Sequence, residues 1–363
     1  MKVSIVTGLG YGDEGKGTVT KWLSLSSPKP LVIRYGGGNQ VGHTVMEGDL
    51  LHVHHHTGSG TTSNIETFYS RFCTVEPIGT YEEIVKLLKL GFYKMQYYDP
   101  RAMLVTPLDV YRNRKDNEGK HSSVGVGFGR TIQRNEDHYK LYVHDILHKG
   151  IFYSKCEAIQ DYYGETFDID TYYICCLEFL SICTIKKLSQ ITTKYETLIF
   201  EGHQGVLIDM EYGTFPYVTR SKTTVKNAYT ILNEEEITPS VIENFMVTRA
   251  YHTRHGDGPF RKRKIKLKNN EYESNKTHEH QGDFKIAKLD FKLLQFSIDC
   301  NFYDRLPTGN VNTKENIVIT CLDQVENPLD IVSRINGLSR GKVFVNDSPR
   351  STTIRPYLNN MKL

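Results

Sequence analysis

Two glycine-rich stretches hold the residues best suited to chemistry. The first, Gly10-Tyr11-Gly12-Asp13-Glu14-Gly15-Lys16, has the phosphate-loop spacing of two glycines followed by a lysine. Glycines let backbone N–H groups curl around phosphate oxygens, a following helix N-terminus adds positive potential, and Lys16 neutralises phosphate charge. An ordinary phosphate loop places a Ser or Thr hydroxyl after the lysine to hold Mg²⁺, but here that position is Gly17. Asp13 is then the candidate metal ligand, because a carboxylate among phosphates needs a cation between them or a role as a base. The second stretch runs Gly36-Gly37-Gly38-Asn39-Gln40-Val41-Gly42-His43-Thr44. His43 is placed there to meet a phosphate, and an imidazole can move or stabilise charge near neutral pH.

The elements that must position these loops are legible around them. Val3 to Thr7 is β-rich and leads into the first loop, Thr18 to Leu25 reads as a helix, and Leu31 to Tyr35 is a second apolar strand. Strand, glycine turn, helix and strand form a βαβ unit, so both loops belong at the same edge of a parallel sheet. Met103 to Thr106, Thr197 to Phe200, Asn244 to Thr248 and Ile317 to Thr320 read as further buried strands. Tyr81 to Leu90 reads as a helix with Ile84, Leu87 and Leu88 on one face. The fold expected is α/β, a largely parallel central sheet with helices on both faces, and residues 1–363 form a single domain. Arg261 to Lys268 alternates basic and apolar residues as an exposed edge strand does, and the polar segment Asn269 to His280 reads as a mobile loop.

Composition narrows the class. A formal charge of +3 over 363 residues suits small anionic ligands and lacks the imbalance of a nucleic-acid binder. The basic run from Arg261 also lacks interleaved aromatics for base stacking. No stretch of eighteen apolar residues suggests a membrane span, and the N-terminus enters a strand without a signal-like segment, so the chain reads as cytoplasmic. Seven cysteines without a CxxC pair give no disulfide framework or zinc motif, and adjacent Cys175 and Cys176 read as small core residues. His52, His54 and His56 would share one face of a strand. With no carboxylate or cysteine beside them in sequence, they read as exposed or partly buried histidines and not as a zinc site.

Several blocks in order resemble the adenylosuccinate synthetase family. Gly12 to Gly17 is similar to its Gly-Asp-Glu-Gly-Lys-Gly loop, and Arg34 to Thr44 to its Arg-Tyr-x-Gly-Gly-x-x-x-Gly-His-Thr loop. Phe200-Glu201-Gly202-His203-Gln204-Gly205, Gly213 to Thr219, and Thr253-Arg254-His255-Gly256-Asp257-Gly258-Pro259-Phe260 continue the resemblance to about residue 260. It implies a two-step ligation: GTP phosphorylates O6 of IMP, and L-aspartate then displaces that phosphate to give adenylosuccinate. It also implies that Asp13 is the base at purine N1 and, with the Gly42 carbonyl, a Mg²⁺ ligand. His43 assists phosphoryl transfer. Gly12, Glu14, Gly15, Lys16, Gly17, Thr18 and Thr44 hold phosphates, while Gln40, Val41, Gln204 and Thr219 hold IMP. The family works as a homodimer.

The sequence also departs from that pattern. A Gly-Thr-Thr-Gly stretch that grips the IMP phosphate corresponds to Ser122-Ser123-Val124-Gly125, leaving Ser123 or Ser122 to supply the hydroxyl. The arginine cluster that holds the aspartate carboxylates corresponds to His280-Gln281-Gly282-Asp283-Phe284-Lys285. Arg254 and Lys285 become the co-substrate candidates, with Arg261, Lys262 and Arg263 as possible compensation. An arginine reaching the neighbouring subunit lacks a clear counterpart among residues 133–138. The guanine-reading segment is Thr320-Cys321-Leu322-Asp323, where Asp323 can still accept from a guanine edge, and Ser348 lies in the loop that packs on the same base. A phage-type relative joining aspartate to dGMP, with ATP, dATP or GTP as donor, is the alternative. Asp13 favours IMP, while the compact length favours dGMP. An inactive nucleotide-binding protein would need neither Asp13 nor His43.

Overall fold

Strands buried on both sides and joined through helices dictate a layered α/β architecture. In this computed structural model the described residues are 1–92, 94–117, 123–261, 263–268, 273, 282–307, 311–358 and 361. The chain opens with β1 (Lys2–Gly8), the first glycine loop, α1 (Lys16–Ser26) and β2 (Pro30–Arg34). A hairpin follows the second loop, β3 (His43–Glu47) and β4 (Leu50–His54), and then come β5 (Thr67–Tyr69), β6 (Thr74–Val75), α2 (Pro77–Lys89), β7 (Gln96–Tyr98) and β8 (Met103–Leu104). A helical insert holds α3 (Pro107–Asp116), α4 (Phe128–Glu136), α5 (Lys149–Tyr163) and α6 (Ile169–Ile182), before β9 (Thr184–Ile185) and β10 (Thr197–Glu201). The rest comprises α7 (Lys226–Glu234), β11 (Val241–Arg249), β12 (Tyr251–His255), β13 (Phe284–Lys288), α8 (Phe291–Tyr303), β14 (Asn312–Thr320), α9 (Pro328–Leu338), β15 (Val343–Val345) and β16 (Arg355–Pro356).

Ten strands form one sheet in the order β16-β15-β14-β11-β1-β10-β2-β5-β7-β9. Every pair is parallel except β15 with β16. The period of two along β1 assigns its side chains to opposite layers. Val3 and Ile5 pack with Leu31, Phe200 and Tyr229 under α7, whereas Val6 packs with Val19 and Leu23 of α1 on the other face. A further core lies beneath α8 and α9, and the helical insert has its own, including Phe152, Cys156, Cys176 and Phe179. Burying each such apolar side chain stabilises the fold by about 1.5–3 kcal/mol. Cys176 is fully buried, as a small core residue is, but its neighbour Cys175 is only partly buried and stands outside the core; the seven cysteines are free thiols. No helix of the described residues is long and apolar enough to cross a membrane.

Several local expectations differ from what is observed. The expected strand from Met103 stops at Leu104 and pairs with β6 outside the main sheet. Thr106 ends it by capping α3: its hydroxyl accepts from Asp109 N–H while Asp109 accepts from Thr106 N–H, and Pro107 opens the helix. Leu88 lies 52% exposed although Ile84 and Leu87 are buried, because the buried stripe of α2 passes through Thr80, Ile84 and Leu87. The described residues of the 261–268 run form no strand. Lys268 N–H donates to Gln324 and Arg263 accepts from Lys288, so two neighbours share the bonds a ladder would need, while Ile265 and Leu267 pack on the core beneath α8. Lys262 and, apart from Glu273, the expected loop Asn269 to His280 lie outside the described residues.

Arg134, within the segment where an intersubunit arginine was sought, is fully buried. Its guanidinium grips Asp109 twice, at 3.0 and 2.9 Å, and donates to the Leu104 carbonyl at 2.9 Å. It is therefore an internal clamp between α4, α3 and β8.

Candidate active site

The C-terminal ends of β1, β2, β10, β11 and β14 lie along one edge of the sheet, where open parallel sheets collect ligands. A cavity of about 550 Å³ opens there between the two glycine loops. Gly12 and Gly15 have φ of 109° and 91°, angles that only glycine adopts without strain, and they bend the first loop into α1. Gly15 stands at the start of α1, and no side chain caps that N-terminus, so the first helical N–H groups are left to a ligand. Gly17 explains the missing phosphate-loop hydroxyl. A Cβ there would lie 2.8 Å from His43 Cβ and 2.9 Å from Ser59 Oγ, so the close approach of the hairpin to α1 excludes a side chain.

Glu14 and Lys16 are both buried, and each serves the loop. Glu14 Oε1 accepts from the N–H groups of Gly10 and Gly12 at 2.9 Å each, while its other oxygen pairs with the Lys16 ammonium. Glu14 is thus a loop brace that ties Lys16 to the backbone of the first loop.

Asp13, at φ 62°, turns its carboxylate into the cavity with the side chain 25% exposed. Its Oδ2 stands 3.5 Å from His255 Nε2, and its carbonyl accepts from Arg249. Desolvation in the crowded cleft raises the Asp13 pKa above the ordinary carboxylate value, against the opposing pull of His255, Arg249 and Lys16. A hard oxygen ligand aimed into a phosphate-binding cavity fits Mg²⁺, and Gly42 lines the same cavity.

His43 begins β3, and its Nδ1 lies 2.7 Å from Glu201 Oε1 at the end of β10. Ser59 N–H donates to Glu201 Oε2 at 3.2 Å, its hydroxyl to Oε1, and Arg34 Nε approaches at 4.0 Å. Burial alone would raise Glu201, but His43, Arg34 and Ser59 hold it at about 2. Burial lowers His43, with Glu201 opposing. An ionised Glu201 therefore accepts from Nδ1–H, and the buried Nε2, which has no protein partner, is presented to the cavity.

Of the other expected contacts, Thr18, Gln40, Val41, Thr44, Gln204, Asp323 and Ser348 line this cavity. The amide oxygen and nitrogen of Gln40 are buried without partners, as is Gln204 Oε1, leaving them available to a ligand. Four candidates do not line it. Ser123 exchanges hydrogen bonds with Asn113 at 3.0 and 3.1 Å, and Val124 faces the cavity in its place, while Ser122 lies outside the described residues. Thr219 is tied through its N–H to Ile208. Arg254 stacks on Tyr11 at 4.7 Å and donates to the carbonyls of Asp257, Pro259 and Tyr217, and Lys285 donates to that of Gly256 at 2.6 Å. Arg261 and Arg263 lean towards Asp290, not the cavity. His280 and Gln281 lie outside the described residues.

Sequence reasoning passed over Glu201, Ser59, Arg249, Tyr251 and His255. Glu201 and His255 sit inside recognised motifs, so the motifs were the signal, but their pairing with His43 and Asp13 spans too many residues to be read from spacing. Arg249 contributes its guanidinium to the cavity wall, where it also meets Tyr251 and Glu273.

A family model described as adenylosuccinate synthetase matches residues 5–311. The adenylosuccinate synthetase of Clostridium botulinum (strain Eklund 17B / Type B) is 31% identical over 284 residues, covering 72% of this chain and 65% of that protein. That of Wigglesworthia glossinidia brevipalpis is 31% identical over 286 residues, covering 70% and 64%. The chain thus spans just under two thirds of the length of these relatives. A fully ligated adenylosuccinate synthetase from Plasmodium falciparum has the same fold, with a TM-score of 0.76 and 17% identity over 98% of this chain and all of the other. A cyanophage S-2L succinoaminodeoxyadenylate synthetase, bound to dGMP and dATP as an energy donor, matches with a TM-score of 0.70 and 16% identity over 98% of this chain and 95% of its own.

Proposed function

Since this chain belongs to the adenylosuccinate synthetase family, we propose that it is a purine-nucleotide ligase that joins L-aspartate to C6 of IMP at the expense of GTP. One observation carries this assignment: Asp13 and His43, shifted in opposite directions by the same burial, face one cavity walled by the two glycine loops. An inactive binder would need neither.

Asp13 takes the proton from purine N1, which places negative charge on O6. O6 then attacks the γ-phosphorus of GTP, the bond to the bridging oxygen breaks, and GDP leaves. His43 Nε2 faces the transferring phosphoryl oxygen and donates to it once a second proton makes the ring an imidazolium, which Glu201 at Nδ1 favours against the burial that disfavours it. The aspartate amine next adds to C6, the C6–O6 bond breaks, and phosphate departs carrying O6. Asp13 and the Gly42 carbonyl would hold Mg²⁺, which offsets phosphate charge when bound. Gln40 and Gln204, with unsatisfied amide groups at the cavity, would orient the acceptor nucleotide, and Asp323 would accept from the donor base. With Arg254 and Lys285 turned elsewhere, Arg249 is a guanidinium on the wall, and an anionic substrate would meet it by taking the place of the Glu273 carboxylate. We take residues 1–363 as one domain that works as a homodimer in the cytoplasm, and sedimentation at assay concentration checks the dimer.

The experiment crosses IMP and dGMP with GTP and ATP, in Mg²⁺ and aspartate, and follows phosphate and the succinylated product by mass. Product from IMP with GTP is expected. Product from dGMP alone would move the acceptor to the 2-amino purine, and no product in any combination would overturn a ligase assignment.

A further inference from the structure

We propose that His52, His54 and Glu83 form a zinc-class divalent metal site, separate from the nucleotide cavity, that clasps the β3–β4 hairpin to α2. One ligand atom from each residue falls within 4.8 Å of the others. His52 Nε2 and His54 Nδ1 lie 3.5 and 3.9 Å from Glu83 Oε1. Tetrahedral zinc with bonds of about 2.0–2.1 Å separates its ligand atoms by roughly 3.3 Å, which the two spacings to Glu83 approach. His52 is 6% exposed and its Nε2, the nitrogen that faces Glu83, has no hydrogen-bond partner, while the fully buried His54 holds its Nδ1 2.6 Å from Thr57 Oγ1, a contact that an ion would replace. Leaving a buried imidazole nitrogen unsatisfied costs free energy that a bound cation would recover.

The period of two on β4 puts both histidines on the hairpin face opposite Val53 and Thr44, which line the nucleotide cavity, and on the same face as His43. Glu83, whose position 31 residues after His52 hides it from local sequence reading, reaches them from α2. That helix is firmly started, with Pro77 in its first turn and Glu76 accepting from Ile78 N–H. The carboxylate is oriented as metal-ligating carboxylates are: Oε2 accepts from the N–H groups of His55 and His56 at 3.0 and 2.8 Å, and the Thr57 hydroxyl donates to Oε1. Two imidazoles and one carboxylate select a borderline ion over Mg²⁺ or Ca²⁺, which prefer all-oxygen sites. His54 is the cross-strand partner of His43, so a metal here would stiffen the hairpin that delivers the cavity histidine.

The test is zinc titration of the full, chelator-stripped chain by calorimetry in excess Mg²⁺, which occupies the oxygen site at the loop. One equivalent is expected to bind, raising the thermal midpoint. Zinc X-ray absorption should count two imidazoles among its ligands. His52→Gln should weaken zinc by more than the roughly ten- to hundredfold that loss of an outer-shell partner costs. Replacement of the exposed His148 by Gln, or of Asp13 by Asn, should leave zinc affinity unchanged. Absence of stoichiometric zinc, absorption showing fewer than two imidazoles, or equal affinity in folded His52→Gln would overturn the site. If His52→Gln does not fold, the imidazole count on the unaltered chain decides alone.

Discussion

Asp13 and His43 are prepared for proton chemistry in different ways. Asp13 gains basicity from desolvation, so its protonated form persists to higher pH than in a free aspartate. The acid limb of kcat/KM should accordingly lie above the ordinary value of 3.8, with activity falling as pH drops through it. Asp13→Asn keeps the shape and removes the base, and steady-state kinetics should show turnover reduced by about 10²–10⁴-fold. His43 instead depends on Glu201. Glu201 is held at about 2, below its ordinary 4.5, so the folded state binds the proton less well than the unfolded chain does. Its stabilising contribution is therefore complete above about pH 4.5 and lost as pH falls towards 2. Melting curves across that range should show a steeper acid loss in the unaltered chain than in Glu201→Gln, which should also have lower turnover at neutral pH. Asp13, Lys16 and His43 were legible because loop spacing encodes them directly. Glu201 was not, since its partner lies 158 residues away and only the sheet order places β10 beside β2.

At the scale of elements, the contact between α1 and the β3–β4 hairpin sets the site. Gly17→Ser, which restores the common phosphate-loop hydroxyl, would drive Cβ into His43 and Ser59. Such overpacking typically costs about 1–3 kcal/mol, so denaturant melts should show destabilisation, and kcat should fall because His43 is displaced. The Arg134–Asp109 clamp gives a second check. Removing one partner of a buried pair costs about 3–5 kcal/mol, and Asp109→Ala should show it without altering a cavity residue. Strands and helices with strong period were readable: β1, β2, β10, β11 and β14 fall where the apolar runs lie. The 261–268 run misled because its alternation does mark one buried side, at Ile265 and Leu267, but its N–H and C=O groups bond to separate neighbours. The histidines of β4 were read as exposed or partly buried because the carboxylate that meets them lies on another element.

The whole molecule divides its site unevenly along the chain. The family match ends at residue 311, whereas Asp323 and Ser348, which also line the cavity, come after it. On the proposed mechanism, phosphate and proton chemistry would sit in the matched part and choice of base in the remainder, carried on β14 and the loop after β15. Asp323→Ala should raise the KM for GTP by roughly 5- to 150-fold, the worth of about 1–3 kcal/mol for a lost hydrogen-bond partner, and leave ATP use little changed. Equal effects on both donors would mean that Asp323 does not read the base. The doubly wound fold itself was legible, since a glycine turn between two apolar strands and a helix admits few other arrangements. The departures in the co-substrate loop were legible only as gaps, because an absent arginine does not say which group replaces it.

The central claim is that O6 of the acceptor is phosphorylated before aspartate displaces it. The most direct measurement uses IMP carrying ¹⁸O at C6, with GTP, Mg²⁺ and aspartate, and weighs the phosphate released. Transfer of the label into inorganic phosphate, in step with succinylated product, is the predicted result. Product formed with unlabelled phosphate, or phosphate released without product, would contradict it.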